Sequence, residues 1–434
     1  MGFRRGMLRL AVLGFAALGF ASVASADESL ASVPVTLPVT PPVTPPVMPA
    51  VTPVTPPVMP AVTLAEAIAQ AVLEAPAAVD ARLAREVQAA QLPAAALPSL
   101  QNPVAEFGIE RGSAYLDVFT YGQLMLRFEV SGQRSSRMRE ADEILRAREA
   151  RVVLTKAEIA GAVTEAFGAV VTARARIVEV ERGVAAAEEE ERIHRARLFA
   201  GDATVLDVAS AEAELGRWRQ SKRTLELGLV GSNARFFQLL GASSRIPADQ
   251  LLPPDVTVSG DKKVFPVAAL FAREAEAFTA AADRSRSEAR GTFDVGPRFT
   301  RGDFGELRVG VIASMPLTLI RRNQAEVARS EAEATRARTM SGLAERTGGI
   351  RTVSAFERCA RAREALKELD EFAVPAAERA VRAAQDAFRA GKADFFRVLL
   401  VRRDLVATRM RRLDIVDLEW AAYAELLVLG AVEP

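Results

Sequence analysis

One stretch limits this chain more than any other. From Arg134 to Phe199 it is dense in Ala, Arg and Glu, holds no Pro, and repeats apolar residues at helical spacing. As a single helix it would be about 100 Å long. A helix of that length buries no globular core alone and must pack lengthwise against other helices or other copies of itself. A similar run is expected from Arg321 to Arg389, with Gly348-Gly349 and Pro375 as weak points. Return helices are expected at about 203–240 and 393–429, each entered after a Gly suited to a left-handed turn. Shorter amphipathic helices are expected at 64–92 and 266–290. Thr63 and Glu66 stand at capping-box spacing before the first. Pro253-Pro254 and Gly260 mark a connecting loop.

The two long runs match at a constant offset of 190 residues. Arg139 lies over Arg329, Glu143 over Glu333, Arg146-Ala-Arg148 over Arg336-Ala-Arg338, and Val163 over Val353. Ala200-Gly201-Asp-Ala203 lies over Ala390-Gly391-Lys-Ala393, Val208 over Val398 and Leu215 over Leu405. This pattern reads as an internal duplication, with 63–252 and 253–434 as its two repeats.

Four segments alternate with period two, the mark of strands. Ala105, Phe107 and Ile109 oppose Glu106, Gly108 and Glu110. Leu124, Leu126, Phe128 and Val130 oppose Met125, Arg127 and Glu129. Phe293, Val295, Pro297 and Phe299 oppose Asp294, Gly296 and Arg298. Leu307, Val309, Val311, Ala313 and Met315 oppose Arg308, Gly310, Ile312 and Ser314. Charge falls on one face of each strand. A transmembrane barrel has this pattern, and so does a half-buried soluble sheet. Export of the chain and its otherwise helical character favour the barrel. Four strands cannot close one, and open edges are not tolerated in lipid, so several chains would have to pool their strands. The lumen candidates are Glu106, Glu110, Arg127, Glu129, Asp294, Arg298 and Arg308. The loops Arg111–Thr120 and Thr300–Gly305 are the expected hairpin tips. Phe107, Phe119, Phe128, Phe293 and Phe299 would supply much of an aromatic girdle, because Tyr and Trp are few.

Residues 1–26 read as a cleavable secretory signal: Arg4, Arg5 and Arg9, then the apolar run Leu10 to Val23, then Ala24-Ser25-Ala26. No Cys lies near that site, so a lipid anchor there is not expected, and no later apolar run is long enough for a spanning helix. Residues 27–62 form a Pro-rich linker without a fold. Val43 to Thr52 recurs as Val54 to Thr63, and such Pro density favours an extended polyproline conformation.

Composition narrows the function. The chain has one His and one Cys, so a His-pair zinc site, a Cys-rich metal site and a disulfide framework are excluded. His194 and Cys359 read as packed or surface helix residues. Charge is balanced, 56 Lys+Arg against 55 Asp+Glu, which argues against nucleic-acid binding. No Gly-x-Ser-x-Gly elbow or phosphate loop stands in the required context, and Gly108, Gly112 and Gly296 read as strand or turn glycines. No enzyme activity, cofactor or bound metal is expected.

Several motifs resemble the TolC-like outer membrane factors. Thr63-Leu-Ala-Glu-Ala-Ile68, with Pro76 beyond, resembles the family's opening helix. Gln101-Asn-Pro103 and Ser131-Gly-Gln-Arg134 resemble the approach to and exit from the first strand pair. Met315-Pro-Leu-Thr-Leu-Ile-Arg-Arg-Asn-Gln324 resembles a signature of the heavy-metal cation efflux branch. Phe199-Ala-Gly-Asp-Ala-Thr-Val-Leu-Asp-Val208 and Phe388-Arg-Ala-Gly-Lys-Ala-Asp-Phe-Phe-Arg397 resemble the paired turns at the periplasmic tip. The match covers about 63–430.

The resemblance implies a mainly helical chain with a small transmembrane β part. It implies a homotrimer in which four strands per chain make a twelve-stranded barrel and long antiparallel hairpins make an α-barrel through the periplasm. It implies an outer membrane location in a Gram-negative bacterium. The tips would dock on a periplasmic adaptor linked to an inner-membrane pump of the resistance-nodulation-division type. The tip and gate candidates are Gly201, Asp202, Asp207, Gly391, Lys392, Asp394 and Arg397. The family narrows its entrance with carboxylates. Asp207 matches such a position, but Arg397 stands in the second repeat, which suggests a mixed entrance with an ion pair between them. A duct for drugs or type I protein export is the alternative within the class. A periplasmic coiled-coil scaffold is the alternative outside it.

Overall fold

The fold begins inside the second Pro-rich copy: Ala61 and Val62, expected as unfolded linker, form a strand, and Val62 is buried in the core. The computed structural model of the chain describes residues 61–433 apart from 112–117, 130, 242–244, 257–263, 303–304, 317–319 and 321, all within the unit Val58–Pro434. The signal segment, the Pro-rich stretch to Pro60, Gly112, Val130, Gly260 and part of the Met315–Gln324 motif lie outside the described residues.

Strand β1 (Ala61–Val62) leads through Thr63 into helix α1 (Leu64–Glu74). Thr63 and Glu66 form the expected capping box, each side chain bonding the other's backbone N–H. One helix was expected over 64–92, but the chain breaks at Ala75, which is extended, and restarts as α2 (Pro76–Ala89) and the short α3 (Leu92–Ala95). Pro76 has no N–H to give and disfavours helical backbone before it, so it serves as a first-turn residue instead.

Next come β2 (Val104–Arg111) and β3 (Val118–Phe128). The strands reach into the expected Arg111–Thr120 loop. Val118, Phe119 and Thr120 are strand residues, as suits β-branched and aromatic side chains. Helix α4 (Gln133–Ala200) then runs 68 residues unbroken, about 100 Å. It returns through α5 (Val205–Leu240) and β4 (Ile246–Pro247), which pairs parallel with β1.

The second half has α6 (Pro266–Glu288), β5 (Phe293–Arg301), β6 (Leu307–Ser314) and α7 (Gln324–Glu368). Thr300 and Arg301 extend β5 into the expected loop. Helix α7 starts later than the expected Arg321. Its cap is Asn323, held in left-handed backbone at φ 54° and donating from Nδ2 to the Ser285 carbonyl. Asn is one of the few residues that tolerate that region.

The expected weak point at Gly348-Gly349 does not break α7. A Cβ on Gly348 would lie 2.8 Å from the Phe265 ring, so this glycine makes room for a packed aromatic. At Pro375 the missing N–H is absorbed by one wide turn, Leu369–Ala373, before α8 (Val374–Arg389). Helix α9 (Phe395–Val428) closes the fold.

The main core sits where α1, α4, α5 and α9 meet. Phe167 packs against Trp420 at 5.7 Å and Phe236 at 6.0 Å between ring centroids. Trp420 Nε1 donates to the Leu251 carbonyl, so the indole is both buried and satisfied. Gly168 is required beside it: a Cβ there would lie 2.4 Å from Trp420 Cγ. Away from this level the helices are joined by small Ala contacts and by ion pairs such as Arg409 with Glu179 and Glu378.

Candidate functional site: a two-faced sheet and paired helical turns

Strands β2, β3, β5 and β6 form one antiparallel sheet in that order. The register places Phe107, Gly122, Phe299 and Val309 in one cross-strand row, and Ala105, Leu124, Pro297 and Val311 in the next. The apolar faces of all four strands therefore coincide. That face is bare: Phe107 is 83% exposed, Ile109 76% and Val311 79%. Among the described residues, β2 and β6 have no outer strand partner.

The opposite face carries most of the lumen candidates, and they pair there. Arg127 donates to both oxygens of Asp294, at 2.7 and 2.8 Å. Glu106 accepts from Tyr121 Oη at 3.3 Å and Gln123 Nε2 at 2.5 Å. Arg298 reaches Glu110 at 3.5 Å and lies 4.7 Å over the Tyr121 ring. Arg308 reaches Glu306 at 3.2 Å. Glu129 is separate from this group. It lies beyond the end of β3 and is buried against Arg137 of α4 at 2.8 Å. Arg137 also donates to the Ala95 and Leu97 carbonyls, so the pair ties the sheet to the helices. Phe119 likewise shares the polar face, opposite Glu110.

At the far end of the helices the two turns have one geometry. Gly201 and Gly391 adopt left-handed backbone at φ 82° and 70°. Asp202 N–H donates to the Arg197 carbonyl and Lys392 N–H to the Ala387 carbonyl, both at 2.8 Å, which closes each helix end. The next helices are capped at equivalent positions. Thr204 caps α5 and Asp394 caps α9, where it accepts from the Arg397 N–H at 2.8 Å.

Asp207 completes the α5 cap. Its carboxylate accepts from Thr204 N–H at 2.8 Å and Thr204 Oγ1 at 2.7 Å, and these bonds hold it below the usual carboxylate range. Within the one chain, Asp207 and Arg397 form no ion pair with each other among the described residues. Around the turns Phe199, Val205, Leu206, Phe396 and Leu400 are exposed.

A cluster that the sequence did not signal lies just behind the turns. His194 is buried and stacks near Phe395 and Phe388, beside Ala211 and Leu399. Burial pushes the imidazole below its usual pKa. One turn further along α4, Glu190 meets Arg402 at 2.5 Å, and its carboxyl is raised by burial. Glu214 is also buried, which opposes its charge, but hydrogen bonds from Arg403 and Arg217 outweigh that and lower it. Among the described residues no cluster could hold a metal ion, and no helix is long and apolar enough to cross a membrane.

No protein-family model and no curated protein matches the sequence. Solved structures do match the fold. The outer membrane protein VceC of Vibrio cholerae is 15% identical, with 85% of this chain and 96% of that one covered at a TM-score of 0.67. The Campylobacter jejuni CmeC outer membrane channel is 12% identical, with 85% of each chain covered at 0.71. CusC, described for its folding and transmembrane channel formation, is 14% identical, with 85% and 91% covered at 0.70. This chain is similar to outer membrane channel proteins in fold.

Proposed function

We propose that this chain is the outer membrane channel of a tripartite efflux system and acts as a homotrimer. The sheet carries the reading. It has four strands, one bare apolar face and a polar face of paired charges, and it sits on helices of about 100 Å. A bare apolar face of that extent needs a membrane or partner cover. Four strands need further copies to leave no edge in lipid, and three chains pooling twelve strands would meet that need. The strands hold 8 to 11 residues, which suits a bilayer crossing.

In this reading the apolar face meets lipid and the Arg127–Asp294 face lines the lumen. The exposed apolar residues at the Gly201 and Gly391 turns dock on a periplasmic adaptor, which connects to the pump. The duct passes cargo and performs no catalysis. The like geometry of the two turns supports the duplication and the division at 252–253. The leader 1–26 directs export and is cleaved, which leaves the Pro-rich stretch as an extended linker ahead of the channel. Heavy-metal cations are the proposed cargo. That choice rests on the Met315–Gln324 motif, while paired lumen carboxylates attract cations only weakly. Fractionation tests the channel reading: the protein should be an outer-membrane trimer, and a periplasmic monomer would refute it. Metal sensitivity of a deletion strain tests the cargo, with drug sensitivity alone as the contrary result.

A further inference from the structure

Charge breaks the apolar sheet face at one end only. Among the described residues of that face, the charged ones are Arg111 and Arg301, which end β2 and β5. Both are exposed, and neither forms an ion pair among the described residues. The sheet's other arginines lie on the opposite face with acidic partners: Arg127 with Asp294, Arg298 with Glu110, and Arg308 with Glu306. Among the described residues the apolar face holds no acid, so within them the two guanidiniums give it a positive end.

Their position is also specific. Arg111 is in register with Val118 and Arg301 with Leu307, each pair the last of its hairpin's ladder. The helices join the sheet at its other end, through Phe128 to Gln133 and through Glu288 to Phe293. The arginines therefore mark the rim furthest from the helical body. They stand two strands apart, about 10 Å across the sheet. Arg301 lines an open groove of about 570 Å³ together with Phe107, Gly122, Leu124, Phe299 and Leu307. Phe107 and Phe299 flank Gly122 in one row, and the Phe107 ring folds over this glycine, 3.2 Å from where a Cβ would stand.

An apolar groove with a guanidinium at its mouth suits an acyl chain with a phosphate head, since Arg grips phosphate in a bidentate fork. We propose that Arg111 and Arg301 bind the phosphates of lipid A in the outer leaflet, with an acyl chain seated against Phe299 and Leu307. Two separated cations match a headgroup with more than one phosphate. The proposal rests on the membrane reading above.

The test uses purified wild-type trimer, the double variant Arg111→Ala/Arg301→Ala, and Arg361→Ala on exposed helix surface as a control. Each is placed in phosphatidylcholine vesicles with lipid A, with dephosphorylated lipid A, or with phosphatidylglycerol. Lipid retained per protomer is read by native mass spectrometry. Wild type and control should retain lipid A at least ten-fold more than the double variant, and should lose that preference for the dephosphorylated form. Equal retention by an inserted, trimeric double variant overturns the proposal alone, as does equal retention of phosphatidylglycerol. Failure of the wild type to insert overturns the proposal together with the membrane reading.

Discussion

The imidazole of His194 on α4 lies 4.0 Å from the Phe395 ring on α9, centroid to centroid, at 59°. This contact joins the two helical hairpins just behind their turns. Phe388 of α8 stands 6.1 Å from the same imidazole and lies under Arg197. The ring is buried and its Nδ1 has no hydrogen-bond partner among the described residues.

The pH response follows from that burial. Burial lowers the His194 pKa from its ordinary 6.5, outweighing the upward pull of Asp207 on α5, and Arg197 on α4 adds a smaller downward push. Below about 6.5 the unfolded tip takes up the proton before the folded tip does. The neutral ring thus contributes full stability above 6.5, and that contribution falls as pH drops toward the lowered folded value. Spin-label distances between the two turns should widen from pH 7 to pH 5. His194→Phe should remove the response, and an unchanged response in that variant would contradict this assignment.

Gly168 tests the core. A methyl group there would press on Trp420, so Gly168→Ala should cost about 1–3 kcal/mol through overpacking. Gly216→Ala meets nothing within 4 Å and should cost nothing. Denaturant unfolding of the two variants makes the comparison.

The Arg137–Glu129 pair should hold the sheet on the helices. Both side chains are only 8% exposed. Glu129→Met leaves a buried guanidinium unpaired, and removing one partner of a buried pair costs about 3–5 kcal/mol. Heat resistance of the strand signal in circular dichroism should drop. A variant as heat-resistant as wild type would show that the pair does not join the two parts.

Much of this architecture is legible locally. The Pro-free run predicted α4, period-two alternation placed the core of all four strands, and Thr63 with Glu66 marked the first helix start. What was missed depends on distant residues. Gly348 looks like a helix weakness until Phe265 is seen to fill the space it leaves. Glu129 alternates like a lumen residue, yet Arg137 draws it into the joint. His194 gains meaning only when α8 and α9 bring Phe388 and Phe395 to it. Asp207 matches a gate carboxylate in sequence, and its immediate task in the chain is to cap α5.

Arg397 is exposed at the α9 start and forms no ion pair among the described residues. If it faces the entrance, Arg397→Asp should shift ion selectivity toward cations. The reversal potential in a salt gradient reads this, and an unmoved value would place Arg397 away from the path.

The central claim is that three copies make one water-filled duct. Purified protein in a planar lipid bilayer measures it directly. The expected result is discrete single-channel conductance from a species whose mass is three chains. Inserted trimer that passes no ions under any voltage, or a monomer that never enters the bilayer, would contradict the claim.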